Sequence, residues 1–254
     1  MKLEARQVEK PWGRETLPPP FGDTGGRRVG EIWFEGPAGL PLLAKYIFTS
    51  EKLSVQVHPD DAAARARGLA RGKSECWYIL DAEPGAVLGL GLRREVPRET
   101  LRAAAADGSI EGLMDWVPVT RGDFFFVPAG TVHAIGAGIA LLEFQQASDV
   151  TYRLYDYGRP RELHLDEAVA VARPGPYAPR PAPPAPLLVE GPPFGLARVS
   201  EGPVPFEDRR RWVLPVSGTV RAGAETAEAG ECLVVDPGVP LGLESGAVVF
   251  VGAE

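Results

Sequence analysis

Short hydrophobic segments with alternating polar positions dominate the chain. From residue 32 to about 79, and again from 123 to 152, runs rich in Val, Ile, Phe, Trp and Tyr are bounded by Gly, Pro and Asp. β-Branched and aromatic side chains suit a half-buried pleated surface, and turn residues separate one such strand from the next. The pattern therefore predicts a mainly β protein, built as a sandwich or a barrel.

Three segments have helical rather than alternating patterns. Residues 60–70 follow a proline and predict a short surface helix, and residues 98–107 begin at Pro97 and are rich in Ala and Glu. Residues 165–172 carry Asp166 and Glu167 where acidic side chains favour a first helical turn. We expect these helices to be short insertions beside a sheet.

A proline-rich segment separates the chain into two parts. Residues 173–193, RPGPYAPRPAPPAPLLVEGPP, cannot form a helix and favour an extended connector. Residues 194–254 again show strand and turn patterns but contain no histidine. We predict a first domain over 1–172, a connector over 173–193 and a smaller β domain over 194–254, so chemistry that needs imidazole belongs to the first domain.

Charge and hydropathy exclude several kinds of partner. The net charge is −7 and no basic cluster is present, which argues against a nucleic-acid partner. No apolar run approaches the ~18 residues of a spanning helix, and the first residues are polar and acidic where a signal peptide is apolar. We expect a cytoplasmic protein without a membrane partner.

Two of the three histidines lie in distinctive settings. In SVQVHPDD, strand alternation places Ser54, Gln56 and His58 on one face. That face holds either a structural histidine or a pair of metal ligands. His133 lies in GDFFFVPAGTVHAIG, which resembles the second motif of the cupin superfamily, whose histidine is a metal ligand. The first cupin motif departs from its usual form, because Gln56 replaces a histidine and Glu75 comes seventeen residues after His58.

Six motifs together share this departure with one family. The chain resembles the class I mannose-6-phosphate isomerases, in their compact bacterial form, through KPWGRE (10–15), GEIWFEG (30–36), LLAKYIFTSEKLSVQVHPDD (42–61), KSECWYIL (73–80), VPAGTVHAIGAG (127–138) and LLEFQQASDVTYRLYDYGR (141–159). The resemblance implies a cupin-type double-stranded β-helix barrel with short helical insertions. A smaller, degenerate second β-barrel without metal ligands is expected to follow it.

The resemblance also implies a metal site. It assigns one Zn²⁺ per chain to four residues: Gln56, His58, Glu75 and His133. Imidazole nitrogen and carboxylate oxygen suit zinc, and an incomplete protein shell leaves a position for substrate or water. Other divalent metals accept similar ligands, so zinc is favoured by the family rather than by the spacing.

The implied reaction interconverts mannose 6-phosphate and fructose 6-phosphate through a cis-enediol, which requires a base that moves a proton between C1 and C2. Glu143 and Lys73 are the first candidates for that base, with Asp149 behind them. The sequence does not rank these candidates. Arg153 is expected to position substrate oxygens or phosphate, because a fixed guanidinium recognises oxyanions well.

A phosphate-binding set follows from the same resemblance. Arg159 is expected to bind the phosphate with Ser54 and Lys45, and the alternative for Arg159 is a solvated surface arginine. The partner is therefore a small sugar phosphate, and we expect a monomer or a homodimer.

Three other functions remain open at this point. The chain is alternatively a metal-binding cupin that senses a sugar phosphate without turnover, or an isomerase of another sugar. A metal-dependent oxygenase or epimerase on the same barrel is also conceivable, although Arg153 counts against it.

Overall fold

The computed structural model describes all of residues 1–254 as a mainly β protein with four short helices. The strands in chain order are β1 (Glu4–Arg14), β2 (Val29–Glu35), β3 (Leu42–Phe48), β4 (Val55–Val57), β5 (Glu75–Ala82), β6 (Val87–Leu92), β7 (Met114–Pro118), β8 (Phe124–Val127), β9 (His133–Ile135), β10 (Ile139–Gln146), β11 (Tyr152–Tyr155), β12 (Leu187–Val189), β13 (Gly195–Val199), β14 (Arg211–Ser217), β15 (Thr219–Ala222), β16 (Glu225–Glu228), β17 (Leu233–Val235), β18 (Leu241–Leu243) and β19 (Val248–Ala253). The helices are α1 (Asp61–Arg65), α2 (Arg98–Asp107), α3 (Ile110–Leu113) and α4 (Leu165–Val171). The predicted fold class is confirmed.

Two antiparallel sheets face each other in the first part of the chain. One has six strands in the order β1-β2-β3-β10-β5-β8, and the other has five in the order β11-β4-β9-β6-β7. A buried apolar cluster fills the space between them, with Trp77 and Leu141 from the six-stranded sheet and Leu88 and Ile135 from the five-stranded sheet. These sheets form the barrel walls around the candidate site.

The six-stranded sheet is covered on its other face by the C-terminal strands. β10 is buried along its whole length, with Leu142 and Phe144 on the outer face of the barrel. They belong to the same apolar cluster as Trp212 and Phe250 of the C-terminal sheet, whose order is β12-β13-β19-β14-β17. Since alternate residues of a strand point to opposite faces, the intervening Glu143 points into the barrel.

The C-terminal part has its own sheets and core. A three-stranded sheet, β16-β15-β18, packs with the five-stranded one around a buried cluster that includes Val213, Val220 and Val249. β12 pairs with β13 and lies inside the segment predicted as connector. The division into 1–172, 173–193 and 194–254 stays a prediction.

The helices lie close to their predicted positions. α2 has the predicted bounds and ends at Gly108, which adopts a left-handed conformation. α1 is shorter than predicted: Asp60 caps its start by accepting from the Ala63 N–H, but the helix ends at Arg65 and turns follow. None of the helices is long and apolar enough to cross a membrane.

Strand β1 and helix α3 are not evident from the hydrophobic pattern. β1 is an edge strand paired only with β2, and most of its side chains are exposed or half-buried. A polar edge strand lacks the apolar alternation that reveals a strand with a buried face. α3 has only four residues, too few to display a helical period.

Candidate functional site

A row of polar and aromatic side chains crosses the six-stranded sheet. Lys45 on β3 is the register partner of Glu143 on β10, and Glu143 is in turn the partner of Trp77 on β5. Directly opposite residues share a face of an antiparallel sheet, so these side chains line the barrel interior together. Trp33 on β2 extends the row, because it pairs with Lys45.

A second row crosses the facing sheet. Arg153 on β11 pairs with Gln56 on β4, and Gln56 pairs with His133 on β9. His58 follows β4 directly, and the hydroxyl of Ser54 donates to Gln56 Oε1 at 3.1 Å. The strand alternation predicted for SVQVH therefore brings its polar side chains to the same interior.

Three of the predicted ligands meet between the two sheets. His58 Nε2 lies 3.4 Å from Glu75 Oε2, and His133 Nε2 lies 3.2 Å from Glu75 Oε1. All three residues are buried, and one ligand atom from each lies within 4.8 Å of the others. This is the spacing expected of side chains that share one cation.

Backbone carbonyls orient both imidazoles. His58 Nδ1 lies 2.8 Å from the Val150 carbonyl oxygen, and His133 Nδ1 lies 2.9 Å from the Thr131 carbonyl oxygen. A carbonyl only accepts, so each Nδ1 carries the proton and each Nε2 presents a lone pair. Fixing the tautomer through the other ring nitrogen is how proteins prepare a histidine for metal binding.

A tight turn positions His133. The Thr131 N–H donates to the Pro128 carbonyl, and Gly130 within this turn has φ +87°. The Gly130 N–H donates to the His58 carbonyl, which ties the turn to the end of β4. Glycine adopts this left-handed conformation without the Cβ penalty of other residues. The turn thus brings the two histidine segments together.

The ionisation states suit a cation. Burial lowers the pKa of His58 to about 3, with the nearby Lys73 charge adding to the effect, and burial also lowers the pKa of His133. Burial alone would raise the pKa of Glu75, but the Lys73 charge outweighs it and holds the pKa well below its usual range. Neutral imidazoles and an ionised carboxylate are the forms that bind a metal.

The carboxylate of Glu75 provides the strongest test of fit for a metal. Both of its oxygens are buried without a hydrogen-bond partner, although Lys73 Nζ lies 3.0 Å from Oε2. That ion pair lacks hydrogen-bond geometry. Oε1 otherwise faces the imidazole lone pair of His133, and Oε2 faces that of His58. Buried oxygens are rarely left this way, because the desolvation cost is large. A divalent cation would satisfy the carboxylate and both imidazoles, so the residues fit the implied metal.

Gln56 lies next to this set. Its amide Nε2 is 3.3 Å from His133 Nε2, the distance of an amide N–H donating to the imidazole lone pair. A ligand role requires Oε1 instead, which a half-turn of the amide would present. Lys73 also adjoins the set, with Nζ 3.2 Å from His58 Nε2.

Glu143 is held by two donors from the neighbouring strands of its own sheet. The Trp77 indole N–H donates to Oε2 at 2.9 Å, and Lys45 Nζ lies 2.9 Å from Oε1. The Lys45 contact is an ion pair without hydrogen-bond geometry, so Oε1 keeps a free lone pair. Burial raises the pKa of Glu143, with the Glu75 charge adding to the rise and Lys45 opposing it. A raised carboxylate pKa suits a general base.

A cavity of about 300 Å³ opens beside these groups. Its charged lining residues are Lys10, Glu31, Lys45, Lys73, Glu143, Asp149, Arg153 and Arg161, and Ser54, Gln56 and His164 also contribute. Most of the predicted catalytic and substrate-binding residues therefore share one cavity. Their assigned roles stay predictions.

Arg159 is the predicted substrate-binding residue that lies outside this lining, and the predicted metal ligands His58, Glu75 and His133 lie behind it rather than in it. Its guanidinium donates to Glu51 Oε2 and the Lys52 carbonyl, both at 2.9 Å, and to Asp156 Oδ1 at 3.1 Å. These contacts direct it away from the cavity. Its predicted contact with phosphate remains a prediction.

Four further residues line the cavity although no sequence pattern marks them as site residues: Lys10, Glu31, Arg161 and His164. Glu31 is buried, accepts from the Trp33 indole N–H at 2.6 Å and pairs with Lys10 at 3.3 Å. Lys10 and Glu31 lie in KPWGRE and GEIWFEG, so these motifs carried a signal that was used only for the resemblance. Arg161 and His164 lie beyond the last quoted motif.

Curated relatives share part of the sequence. Mannose-6-phosphate isomerase of Streptococcus mutans is 45% identical over 157 residues, which cover 59% of this chain and 49% of that protein. Mannose-6-phosphate isomerase ManA of Bacillus subtilis is 46% identical over 138 residues, covering 52% of this chain and 44% of that protein. The chain thus spans about half the length of the curated relatives it matches. No protein-family model matches the sequence.

Solved structures share the whole fold. The crystal structure of the Bacillus subtilis mannose 6-phosphate isomerase matches with a TM-score of 0.84 and 26% identity, covering 100% of this chain and 99% of that one. A zinc-bound mannose 6-phosphate isomerase matches with a TM-score of 0.70 at 17% identity, covering 100% of this chain and 99% of that one, which bears on the fold alone.

The resemblance read from the six motifs is therefore confirmed. The sequence similarity and the matched fold agree with the cupin-type barrel and the histidine and glutamate cluster inside it. This chain is similar to the class I mannose-6-phosphate isomerases in sequence over the matched stretch and in fold over its whole length.

Proposed function

We propose that the protein is a zinc-dependent aldose–ketose isomerase that interconverts mannose 6-phosphate and fructose 6-phosphate. The observation that carries the proposal is the buried Glu75 carboxylate, whose oxygens have no hydrogen-bond partner and face two neutral imidazoles beside a charged cavity. Relatives that match the sequence bear the same activity in their names. Because the chain covers about half of those relatives, the activity is a proposal for this protein.

His58, Glu75 and His133 would hold the metal, with Gln56 as a weaker fourth ligand. When bound, the metal supplies a Lewis acid that stabilises negative charge developing on substrate oxygens. Zinc suits two imidazoles and one carboxylate, although manganese, iron, cobalt and nickel accept similar donors. Metal analysis of the purified protein would identify the ion.

We assign the proton transfer to Glu143. Its Oε1 is free to accept a proton from C2 and return it to C1, while a second proton moves between O2 and O1 as the enediol collapses. The Trp77 indole and Lys45 hold the carboxylate in place, and its raised pKa makes it a stronger base than an exposed glutamate. Lys73 is engaged with Glu75 and His58, which fits a role in the ligand shell better than proton transfer.

Arg153 would position the substrate from the opposite wall. Its guanidinium makes no ion pair within 4.0 Å, and its Nε is buried without a partner, so its donors are free to meet an oxyanion. Ser54 and Asp149 line the cavity close to it in sequence or space. The substrate partner is thus an anionic small molecule, and the proposed assembly is a monomer or a homodimer in the cytoplasm.

A coupled assay tests the proposal. Zinc-loaded protein is mixed with mannose 6-phosphate, and fructose 6-phosphate is measured with Glu143→Gln as the variant and mannose as a second substrate. We expect turnover that falls by about 10²- to 10⁴-fold in Glu143→Gln, the usual contribution of a general base. Tight binding of the sugar phosphate without turnover at full zinc occupancy would favour the sensor, and faster turnover of mannose would favour another sugar.

A further inference from the structure

We propose that Arg161, held in place by Asp156, is a second cationic contact for the phosphoryl group of the substrate, beside Arg153. The inference rests on the proposed function, because it names the residues that bind the anionic end of a sugar phosphate. Arg161 would touch the phosphate directly. Asp156 would act through Arg161 and is therefore a positioning residue.

The guanidinium of Arg161 is fixed by a two-point contact. Its Nε donates to Asp156 Oδ2 at 2.6 Å, and its Nη2 donates to Asp156 Oδ1 at 2.8 Å. Asp156 is only 2% exposed, whereas the Arg161 side chain is 25% exposed and lines the cavity. Because a guanidinium has five N–H donors, this contact leaves Nη1 and one N–H of Nη2 for a ligand.

The neighbouring Arg153 is a cation without a counter-ion. The other cations of the cavity each have a carboxylate within reach: Lys10 pairs with Glu31, Lys45 with Glu143, and Lys73 with Glu75. Arg153 has no such pair, and its Nε is buried without a partner. Burial, together with the Arg161 charge, lowers the pKa of Arg153. Two guanidinium groups on one cavity repel each other, and a bound dianion would remove that cost.

Asp149 is the acidic group on this side of the cavity, and it forms no ion pair within 4.0 Å of a basic side chain. It offsets part of the positive charge. Asp156 itself is shared by Arg159 and Arg161, so one carboxylate serves two arginines. Arg159 also pairs with Glu51, so Arg153 is the one of these three arginines with no carboxylate within 4.0 Å, and its open guanidinium favours an anionic ligand.

The position along the barrel fits the length of the substrate. The register places His133, Gln56 and Arg153 on successive strands, so Arg153 lies two strand spacings, about 10 Å, from the metal ligand His133. The His164 N–H donates to the Arg153 carbonyl at 2.8 Å, which fixes the segment bearing Arg161 beside β11. A six-carbon sugar with its reactive end at the metal ligands would bring its terminal phosphate to this wall.

Arg159 provides the contrast. It shares Asp156 with Arg161, but its remaining donors go to Glu51 and the Lys52 carbonyl rather than to the cavity. Arg159 would secure Asp156 to the loop after β3. We therefore infer that the phosphate contact predicted for Arg159 belongs to Arg161.

The test compares Arg161→Gln, Arg159→Gln and Arg121→Gln in the zinc-loaded protein. Arg121 is an exposed arginine outside the cavity, and its variant is the matched control for loss of one positive charge. We expect Arg161→Gln to raise the KM for mannose 6-phosphate by about 10- to 100-fold, the effect of losing a charge-assisted hydrogen bond, while kcat changes by less than about threefold. Arg161→Lys should recover only part of the loss, because an ammonium keeps the charge without the planar fork.

Calorimetric titration with inorganic phosphate separates this inference from the proposed activity. The parent protein should bind phosphate, and Arg161→Gln should weaken that affinity by about the same factor as KM, whether or not the protein turns over the sugar. Asp156→Asn should give a smaller loss that is not additive with Arg161→Gln. An unchanged phosphate affinity in Arg161→Gln, a parent that binds no phosphate, or a larger loss in Arg159→Gln would overturn the inference.

Discussion

The two β parts of the molecule bury very different side chains. The first part buries eight charged or titratable residues of the site region, which are Glu31, Lys45, His58, Lys73, Glu75, His133, Glu143 and Asp156. The C-terminal part after residue 193 buries a single charged residue, Arg211, beneath sheets of similar construction. Its core is otherwise aliphatic and aromatic.

This difference indicates that the C-terminal part mainly stabilises the fold, whereas the first part carries the groups suited to chemistry. Buried charges cost several kcal/mol each unless they are paired, so an apolar core is the more economical way to hold strands together. The first part accepts that cost in a cluster around one cavity, where perturbed pKa values and unpaired oxygens collect. The C-terminal part stabilises the barrel by packing on the outer face of its wall.

The largest expected effect comes from removing a proposed metal ligand. His133→Ala should lower kcat/KM by about 10³-fold or more, since the metal supplies several kcal/mol of charge stabilisation. Zinc per chain, measured by metal analysis after dialysis, should fall in parallel. Full zinc occupancy with normal activity in this variant would show that the cluster is not the metal site.

A cavity made in the C-terminal core should lower stability and leave zinc binding intact. Phe250 is fully buried and packs edge-on against Tyr78 across the boundary between the parts. Phe250→Ala should lower the free energy of unfolding by about 4 kcal/mol, as for other large core truncations. Urea unfolding measures this loss. Zinc binding by the folded protein should be unchanged, and a loss of zinc at full folding would contradict the separation.

Breaking a buried ion pair of the site should lower the stability of the protein and change the pKa of Glu143. Lys45→Met leaves Glu143 buried without its cation, which should cost about 3 kcal/mol of stability at neutral pH. The variant's Glu143 pKa should rise further, and a raised carboxylate pKa gives stability that is lost as pH increases. The stability difference between Lys45→Met and the parent protein should therefore shrink as the pH falls toward the ordinary glutamate pKa of about 4.3.

Urea unfolding of Lys45→Met across this pH range gives the measurement. The double variant Lys45→Met/Glu143→Gln is the matched control, because it removes the unpaired charge as well. It should recover most of the lost stability at neutral pH. A deficit independent of pH would mean that lost packing, rather than the buried charge, causes the destabilisation.

The smallest effect is expected at a surface contact between the two parts. Lys2 donates to Glu231 at 2.8 Å, with side chains 42% and 38% exposed. Exposed ion pairs contribute little because water and salt screen them, so Lys2→Ala should change the free energy of unfolding by about 0.5 kcal/mol or less. Thermal unfolding at low and high salt measures the change, and a loss above ~1.5 kcal/mol would show that this contact joins the parts more strongly.

The sequence predicted the features that depend on local pattern. Alternation in SVQVH places Gln56 and His58 on the same face of a strand. The Pro-Ala-Gly turn before His133 can also be recognised directly from the sequence. The polar edge strand β1 has no comparable signal, because its exposed side chains do not alternate.

The candidates for the base and for the phosphate contact differ only in long-range contacts, which the sequence does not reveal. Glu143 differs from the other base candidates through its register with Lys45 and Trp77, which lie far from it in sequence. The choice between Arg159 and Arg161 depends on how both share Asp156. Such contacts follow from strand order and not from the spacing of letters along the chain.

We propose that the buried cluster of the first part is a metal site that supports isomerisation. Its most direct test is a titration of metal-free protein with zinc, followed by the rate of fructose 6-phosphate formation from mannose 6-phosphate. We expect the rate to rise with each addition and to become constant at one zinc per chain. A rate that is the same without metal, or no product at one zinc per chain, would contradict it.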